Sequence, residues 1–584
     1  MQATRNTSPI TILHEDLLWK IFLEITNDAR ELFLPDTRPI STIRRCSQVH
    51  RHWRSLILSS SSIWGRLIDM NALRRKTDDW MKEVVRRAGD ALLWVYGEVG
   101  DSQRHHFLFD FLQENWRRVE MLVVTWTFWT LRLPSEDDTQ LQRMKWAFLQ
   151  EPAPCLRWFG LSARVLNICK LLPEHLFAGN APLLTDFRIY RDSEGKYKYK
   201  FSTQASWIPN LSAVTFSEEF TVAEVLNALR KMPRLQYLSL YVKSSSGSAA
   251  DFRGSMMFLP ALRTLHCLHR DPSSAGAVIQ CITPSADCAA DFRGSMVILP
   301  KLRMVHMHGD LSSAGTVLQS IMPSTDCCLR VEVDRYVPLP ALAPVGHRLE
   351  YQRYEAMVAK YLIPYFSLHP PSSVVFYFGR ESCRFYDGHV AQQSPNYQFL
   401  FSQYTRYLPS SSLMEEFNDF TSFSQVRILH LKTSQGEPFI LKELGALSIR
   451  VGDSFRLITT LSAEEWILHS LVLQEPSITA TRSLFPALTT LLVPDLSGTK
   501  HVPNFELVVP PHQQFIQLRK AIGRPLSVLE IPPTSPAIWK GHDMAHLDVH
   551  IGLLVKWKFS GKDPEEYVCG SGHPERLRFD RKKW

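Results

Sequence analysis

Alternate histidines occur twice in the chain, His50 and His52 in "HRH" and His306 and His308 in "VHMHG". Two imidazoles one residue apart on a strand face the same side and could share a metal ion. Neither pair has a carboxylate or a cysteine beside it at a fixed metal-binding spacing, so solvated or half-buried histidines are the better reading. His14 and Glu15 open the run "HEDLLW", which lacks the second histidine of a zinc-protease helix. "CGSGHPE" around Gly570 has two glycines but neither the third glycine nor the lysine that cradle a phosphate, and reads as a tail loop. The cysteines (Cys46, Cys155, Cys169, Cys267, Cys281, Cys288, Cys327, Cys328, Cys383 and Cys569) include no Cys-x-x-Cys pair and are expected to be reduced and mostly buried. No catalytic, cofactor-binding or metal-binding residue is therefore expected, and the protein is read as a non-enzyme. One further stretch, "CSQVHRHWRSLIL" (46–58), packs an aromatic, two histidines and two arginines into helical spacing. It suits either a helix that contacts nucleic acid or one that docks on a protein.

Composition narrows these classes. The 584 residues carry 66 Lys and Arg against 58 Asp and Glu, a formal charge of +8, with the basic residues spread along the whole chain. That pattern describes ordinary solvated surface rather than a phosphate-binding face. Hydrophobic residues make up 45% and aromatic residues 11%, and no apolar run approaches the roughly eighteen residues of a membrane span. "MQATRNTSPI" lacks the apolar core and small-residue cleavage site of a secretory signal. The expected location is the cytoplasm, the nucleus or both, where Asn6 ("NTS") and Asn210 ("NLS") would not meet the glycosylation machinery. The C-terminal "ERLRFDRKKW" is basic with interleaved aromatics and reads as a solvated tail.

The elements that must position any functional residue are marked by an apolar triplet: a large apolar residue, another three positions on, a third two after that. It recurs at Val119/Leu122/Val124, Leu156/Phe159/Leu161, Leu184/Phe187/Ile189, Leu211/Val214/Phe216, Leu235/Leu238/Leu240, Leu262/Leu265/Cys267, Leu302/Val305/Met307, Val426/Leu429/Leu431, Leu488/Leu491/Val493 and Leu526/Leu529/Ile531. A proline stands ahead of most of them, as in "PRLQYLSL", and starts a strand cleanly. "TVAEVLNALRKMP" spaces Val222, Val225, Leu226 and Leu229 as an amphipathic helix with Thr221 as its N-cap. A strand and helix that bury their apolar faces only against neighbouring copies follow the logic of leucine-rich repeats, and the steps of 28, 27, 24 and 27 residues from Leu156 to Leu262 fit that range. Residues 249–288 and 289–327 are nearly identical, a tandem duplication of the kind that a stacked array accepts.

Residues 10–64 follow other rules. "ILHEDLLWKIFLEI" places Leu13, Leu17, Ile21 and Ile25 four apart, with Leu18 and Phe22 widening the stripe and Glu15 and Asp16 at the positive end of the helix. A second helical stretch carries Ile43, Cys46, Val49, Trp53 and Leu56, and Trp64 follows "SSSS". This segment resembles an F-box at Leu13, Glu15, Leu17, Leu18, Ile21, Phe22, Val49, Arg51, Trp53 and Trp64, and departs from it at His14, where the family usually has proline. The link of about thirteen to sixteen residues between the helices is too long for a helix-turn-helix, which argues against a DNA reader. Helices that merely cap the array remain an alternative.

Taken together, the expectation is an α/β protein: a small all-helical N-terminal F-box followed by an irregular leucine-rich-repeat-like solenoid. Its boundaries are a disordered tail over 1–9, the F-box-like domain over 10–70, the solenoid over 71–560 with 330–425 irregular, and a basic tail over 561–584. The resemblance implies a non-catalytic substrate-recognition subunit of a Skp/cullin/F-box ubiquitin ligase. Leu13, Glu15, Leu17, Leu18, Ile21, Phe22, Val49, Trp53 and Trp64 would contact the Skp adaptor and, through it, the cullin, while the rest holds an unidentified protein substrate. No cofactor and no membrane are implied. A binding scaffold outside ubiquitin chemistry is the alternative, and a basic solenoid on nucleic acid the weaker one.

Overall fold

In most of the apolar triplets, the first residue stands just ahead of a strand and the other two occupy its inward-facing positions; Val119 instead opens its strand, and Val493 follows the end of its own. Leu156, Phe159 and Leu161, Leu184, Phe187 and Ile189, Leu211, Val214 and Phe216, and Leu235, Leu238 and Leu240 are all buried. The period of two along a strand requires this wherever one face meets a core. The computed structural model describes residues 13–27, 38–73, 78–99, 104–126, 144–163, 172–173, 175–191, 199–217, 219–241, 257–269, 282–283, 297–299, 301–309, 318, 321–322, 327–333, 358–379, 382–387, 400–403, 425–433, 455–474, 485–494, 509–534, 542–559 and 563–579. The chain divides into two compact units, Met1–Arg263 with Ala277–Asp291, and Thr264–Gly276 with Phe292–Trp584.

The first unit begins with helices α1 (Glu15–Asn27), α2 (Pro39–Val49), α3 (Arg51–Ser59) and α4 (Ser61–Gly65). Strands β1 (Ile68–Asp69), β2 (Leu93–Val99), β3 (Val119–Trp126), β4 (Trp158–Ala163), β5 (Asp186–Arg191), β6 (Ala213–Phe216) and β7 (Tyr237–Leu240) then pair in chain order, every pair parallel. Helices α5 (Met70–Leu73), α6 (Asp78–Ala88) and α7 (Arg104–Asn115) stand among the early strands. Short 3-10 turns, Leu176–Gly179 and Ile208–Asn210, lead into β5 and β6. Ahead of β7 comes α8 (Val222–Leu229), held by a capping box in which the Thr221 hydroxyl accepts the Glu224 N–H and the Glu224 carboxylate accepts the Thr221 N–H. Aromatic rings fill the core: Phe159 stacks on Phe187 at 5.4 Å, and Phe187 meets Trp207 at 5.2 Å and Phe201 at 5.0 Å.

The second unit builds its sheet from β8 (Thr264–His269), β9 (Met304–Gly309), β10 (Cys328–Val333), β11 (Ser373–Gly379), β12 (Ser382–Asp387), β13 (Leu400–Gln403), β14 (Ile428–Thr433), β15 (Thr460–Ala463), β16 (Thr490–Leu492), β17 (Val528–Thr534), β18 (Leu554–Phe559) and β19 (Glu565–Val568). Here the spatial order leaves the chain order. β10 pairs with β13 rather than β11, and β11 pairs with β14, while β12 runs antiparallel between β11 and β13. β19 is antiparallel to β18. The helices among its described residues are α9 (358–368), α10 (Glu465–Gln474) and α11 (Pro511–Ala521). Among the described residues no helix is long and apolar enough to cross a membrane.

Two expectations are corrected. The protein is an α/β fold, but the leucine-rich-repeat-like solenoid expected over 71–560 does not form. In its place are a seven-strand parallel sheet and a second sheet of ten parallel strands with antiparallel β12 and β19, with helices irregularly distributed among the described residues. The triplet misled because it reports a strand whose alternate residues enter a core, which any covered parallel sheet demands, and says nothing of which strand lies alongside. Nor is 10–70 a purely helical domain. Ile68 and Asp69 form β1, in register with Val95 and Tyr96. The chain turns into the sheet at Gly65, where a Cβ would lie 2.4 Å from the Leu92 carbonyl oxygen, so only glycine allows that approach.

Other parts are more readily placed. Both copies of the duplicated block give the same local pairing, Met257–Phe258 with Ile282–Thr283 and Val297–Ile298 with Ile321–Met322. Within the expected C-terminal tail, Arg578–Phe579 pairs with His542–Asp543, and the Phe579 ring packs 5.6 Å from Trp557. The N-terminal tail and residues 580–584 lie outside the described residues.

Phe187→Ala should lower the unfolding free energy by about 3–5 kcal/mol, because its ring fills the middle of the aromatic core. Leu183→Ala, four residues away and exposed, should stay within about 0.5 kcal/mol. Urea titration of the two variants beside the parent measures both.

Candidate functional site

The apolar stripe of α1 is wider than its neighbours cover. Its inner half is core: Leu18 and Phe22 are buried, Thr26 beside them is sealed, and Phe22 meets the Trp53 ring edge-on at 5.4 Å. Its outer half reaches solvent, with Leu17 49% and Ile21 47% exposed. Leu17 and Ile21 are one helical turn apart and so share a face, about 100° around from the one that Leu18 and Phe22 fill. Val49, the last residue of α2, is 68% exposed. Leu13 and Trp53 are half-buried and Glu15 is exposed.

Trp64 belongs to the interior. Its indole N–H donates to the Ile57 carbonyl at 2.8 Å, its ring lies edge-on to Trp80 at 6.1 Å, and the Arg87 guanidinium stands 5.1 Å from its centre. The nine residues expected at a partner surface therefore divide. Leu18, Phe22 and Trp64 hold the segment together, while Leu17, Ile21 and Val49 face outward, with Glu15, Leu13 and Trp53 beside or between the two sets. Trp19, which sequence reasoning passed over, is a further tie: its indole N–H reaches the Ser60 and Ser62 hydroxyls at 3.0 and 3.3 Å. The clue was a tryptophan on the helix together with the run of serines ahead of Trp64. Arg66 closes the segment by donating to the Asn27 side-chain oxygen at 2.9 Å.

The histidines here serve as helix caps. His14 precedes α1; its carbonyl accepts the Leu17 and Leu18 N–H groups, and its Nδ1 accepts the Asp16 N–H at 3.3 Å. The position at which the sequence departs from the F-box pattern is thus the N-cap rather than the first helical residue. His50 does the same for α3, its Nδ1 accepting the His52 N–H at 3.2 Å. At the other alternate pair, His306 lies in register with His266 on the neighbouring strand, Nδ1 to Nδ1 at 3.3 Å, and the side chain of His308 lies outside the described residues. Among the described residues no group of three or more His, Cys, Asp or Glu could hold a metal ion.

A second concentration of titratable groups lies in the second unit. His512 on α11 and Glu465 on α10 are both buried, with Nδ1 2.6 Å from Oε1, and the His546 ring is 5.7 Å from that of His512. A carboxylate behind an imidazole is the arrangement that readies a hydroxyl or thiol nucleophile. Here the Nε2 of His512 is itself buried, and no group among the described residues hydrogen-bonds to it. Burial pushes the pKa values of His469, His546 and His550 below the ordinary histidine value, with His512 adding to the effect at His546 and Lys520 at His550.

No protein-family model matches the chain, and no curated protein matches it.

Two outcomes test this geometry. Trp64→Phe keeps an aromatic ring but removes the indole N–H, leaving the Ile57 carbonyl without its donor inside the protein, and vacates part of the buried indole's space; it should cost about 1–3 kcal/mol of unfolding free energy or more. The lowered histidine values mean that the unfolded chain binds more protons than the folded one once the pH falls below about 6.5. The stability of the second unit should therefore be full above that pH and decline as the pH falls toward the folded values. Thermal midpoints at about pH 7.5 and about pH 5 should differ in that direction, and His550→Phe should shrink the difference.

Proposed function

We propose that the chain is a non-catalytic substrate-recognition subunit of a Skp/cullin/F-box ubiquitin ligase. In this reading α1 to α3 dock on the Skp adaptor, which bridges to the cullin, and the sheet-bearing remainder holds a protein target. The observation that carries it is the exposure of Leu17, Ile21 and Val49. All three belong to the F-box-like sequence pattern and are exposed, on a segment whose core takes Leu18, Phe22, Ile43, Leu56, Ile57 and Trp64. Leu17 and Ile21 share one face of α1, and exposed large apolar side chains on a helical face are the usual anchors of a helix-mediated protein interface.

The mechanism is proximity. A target held beside a charged ubiquitin-conjugating enzyme meets it at high effective concentration, and the chemistry of transfer belongs to the other subunits. No nucleophile or base of this chain takes part. Such a subunit works in the cytoplasm or nucleus.

The test is retention of the Skp adaptor by the full-length chain. The parent should bind it, and Leu17→Asp or Ile21→Asp should weaken binding about 30-fold or more, as expected for loss of a central apolar anchor. Both variants should stay folded with only a modest fall in thermal midpoint, since about half of each side chain is already in water and Asp costs a helix interior only a fraction of a kcal/mol. A folded parent chain that retains no adaptor overturns the proposal, and one that then still captures target proteins is a scaffold of another kind.

A further inference from the structure

The duplicated block sets one histidine beside its own copy. His266 and His306 occupy the same position of the two copies, 40 residues apart. β8 pairs with β9 in parallel register over its whole length, from Thr264 with Met304 to His269 with Gly309. Leu265, Cys267, Val305 and Met307 are buried on one face of this ladder, so His266 and His306 stand together on the other. Their rings are nearly perpendicular, at 79°, with centres 4.7 Å apart, and Nδ1 meets Nδ1 at 3.3 Å. Both residues are half-buried. Two imidazole lone pairs at this distance repel unless a proton or a metal cation lies between them. The separation also matches one metal geometry. Nitrogens about 2.0–2.1 Å from a tetrahedral zinc ion lie about 3.3–3.4 Å from each other, whereas neighbouring corners of a square-planar site bring them to about 2.8–3.0 Å.

We propose that His266 and His306 hold one zinc ion between their Nδ1 atoms, a cross-strand clamp that ties β8 to β9 in the second unit. The clamp is independent of the docking reading. Neutral imidazole is a favoured ligand of zinc, and the paired strands already fix the backbone of both histidines, so little ordering is left to lose when the ion binds. Among the described residues no third His, Cys, Asp or Glu completes the set. Water therefore fills the remaining positions of the ion, which makes this an open, exchangeable site rather than a closed structural one. The cation that follows in register, Arg330 on β10, is exposed, and its charge acts on the ion through solvent of high dielectric. The competing occupant is a single proton, with one Nδ1–H donating to the other ring. That arrangement has no dependence on zinc.

The experiment adds zinc alone to the metal-stripped full-length chain at about pH 7.5, above the ordinary histidine value. Calorimetry and the thermal midpoint follow the parent, His266→Gln, His306→Gln and the double variant, each first shown to be folded without metal. The parent should take up one zinc ion whose affinity falls about tenfold or more in either single variant, no less than the loss typical of an outer-shell partner. The double variant should lose no more than a single one, because one ion needs both rings. Zinc should raise the parent's midpoint and leave those of the variants where they were, while Mg2+, which prefers oxygen ligands, should move none of them. Co2+ bound to the parent in place of zinc should show the visible absorption of a tetrahedral site, a readout that needs no variant. A parent that binds zinc no better than His306→Gln overturns the clamp and leaves a proton-sharing pair. Losses that add in the double variant assign the histidines to two separate ions and overturn it too, as does cobalt without tetrahedral absorption.

Discussion

Parallel register sets Ile68, Val95, Leu122, Phe159, Phe187, Val214 and Leu238 side by side across seven strands of the first unit, each sealed from water. The second unit repeats the arrangement with Val374, Leu429, Leu461, Leu491, Leu529 and Val555. Each member of a file is buried only because the strands on either side are in register with it. A slip of one residue would turn the whole inward set to the opposite face. The main-chain ladder and the apolar core therefore enforce one another. The short turns ahead of the strands add to this where Thr185, Ser212, Thr459 and Thr489 place their hydroxyls on the carbonyl of the preceding strand's entry residue.

The N-terminal helices are tied to this frame at one end. β1 is the first rung of the file, Gly65 brings the chain against Leu92, and Arg66 reaches back to Asn27 at the end of α1. Trp64 and Trp19 fix α4 and α1 through indole N–H bonds to a carbonyl and to two serine hydroxyls. A helix held in this way fixes the direction of Leu17 and Ile21, which under the proposed docking would leave little ordering to be lost on binding.

The sequence alone marked the strands that carry the apolar triplet, β3 to β9, β14, β16 and β17, because the triplet records the two-residue alternation of a covered strand; β1, β2, β10, β12, β13, β15, β18 and β19 lack it. It determined α8, through Thr221 and the spacing of Val222, Val225, Leu226 and Leu229, and the amphipathic character of α1. It also singled out the residues of the N-terminal segment worth examining. Which of them face outward was not legible. Leu17 and Leu18 are the same residue type in adjacent positions, and only the packing of Trp53 on Phe22 and of Trp19 on Ser60 decides which one the core takes. Strand order was equally hidden: the pairing of β10 with β13 and of β11 with β14 joins residues about seventy and about fifty-five apart in the chain, and side-chain period carries no record of such partners. The capping role of His14 and His50 and the buried meeting of Glu465 with His512 needed tertiary structure for the same reason. Local sequence sets which faces of an element are apolar, and only the assembled neighbours determine which of those faces remain in water.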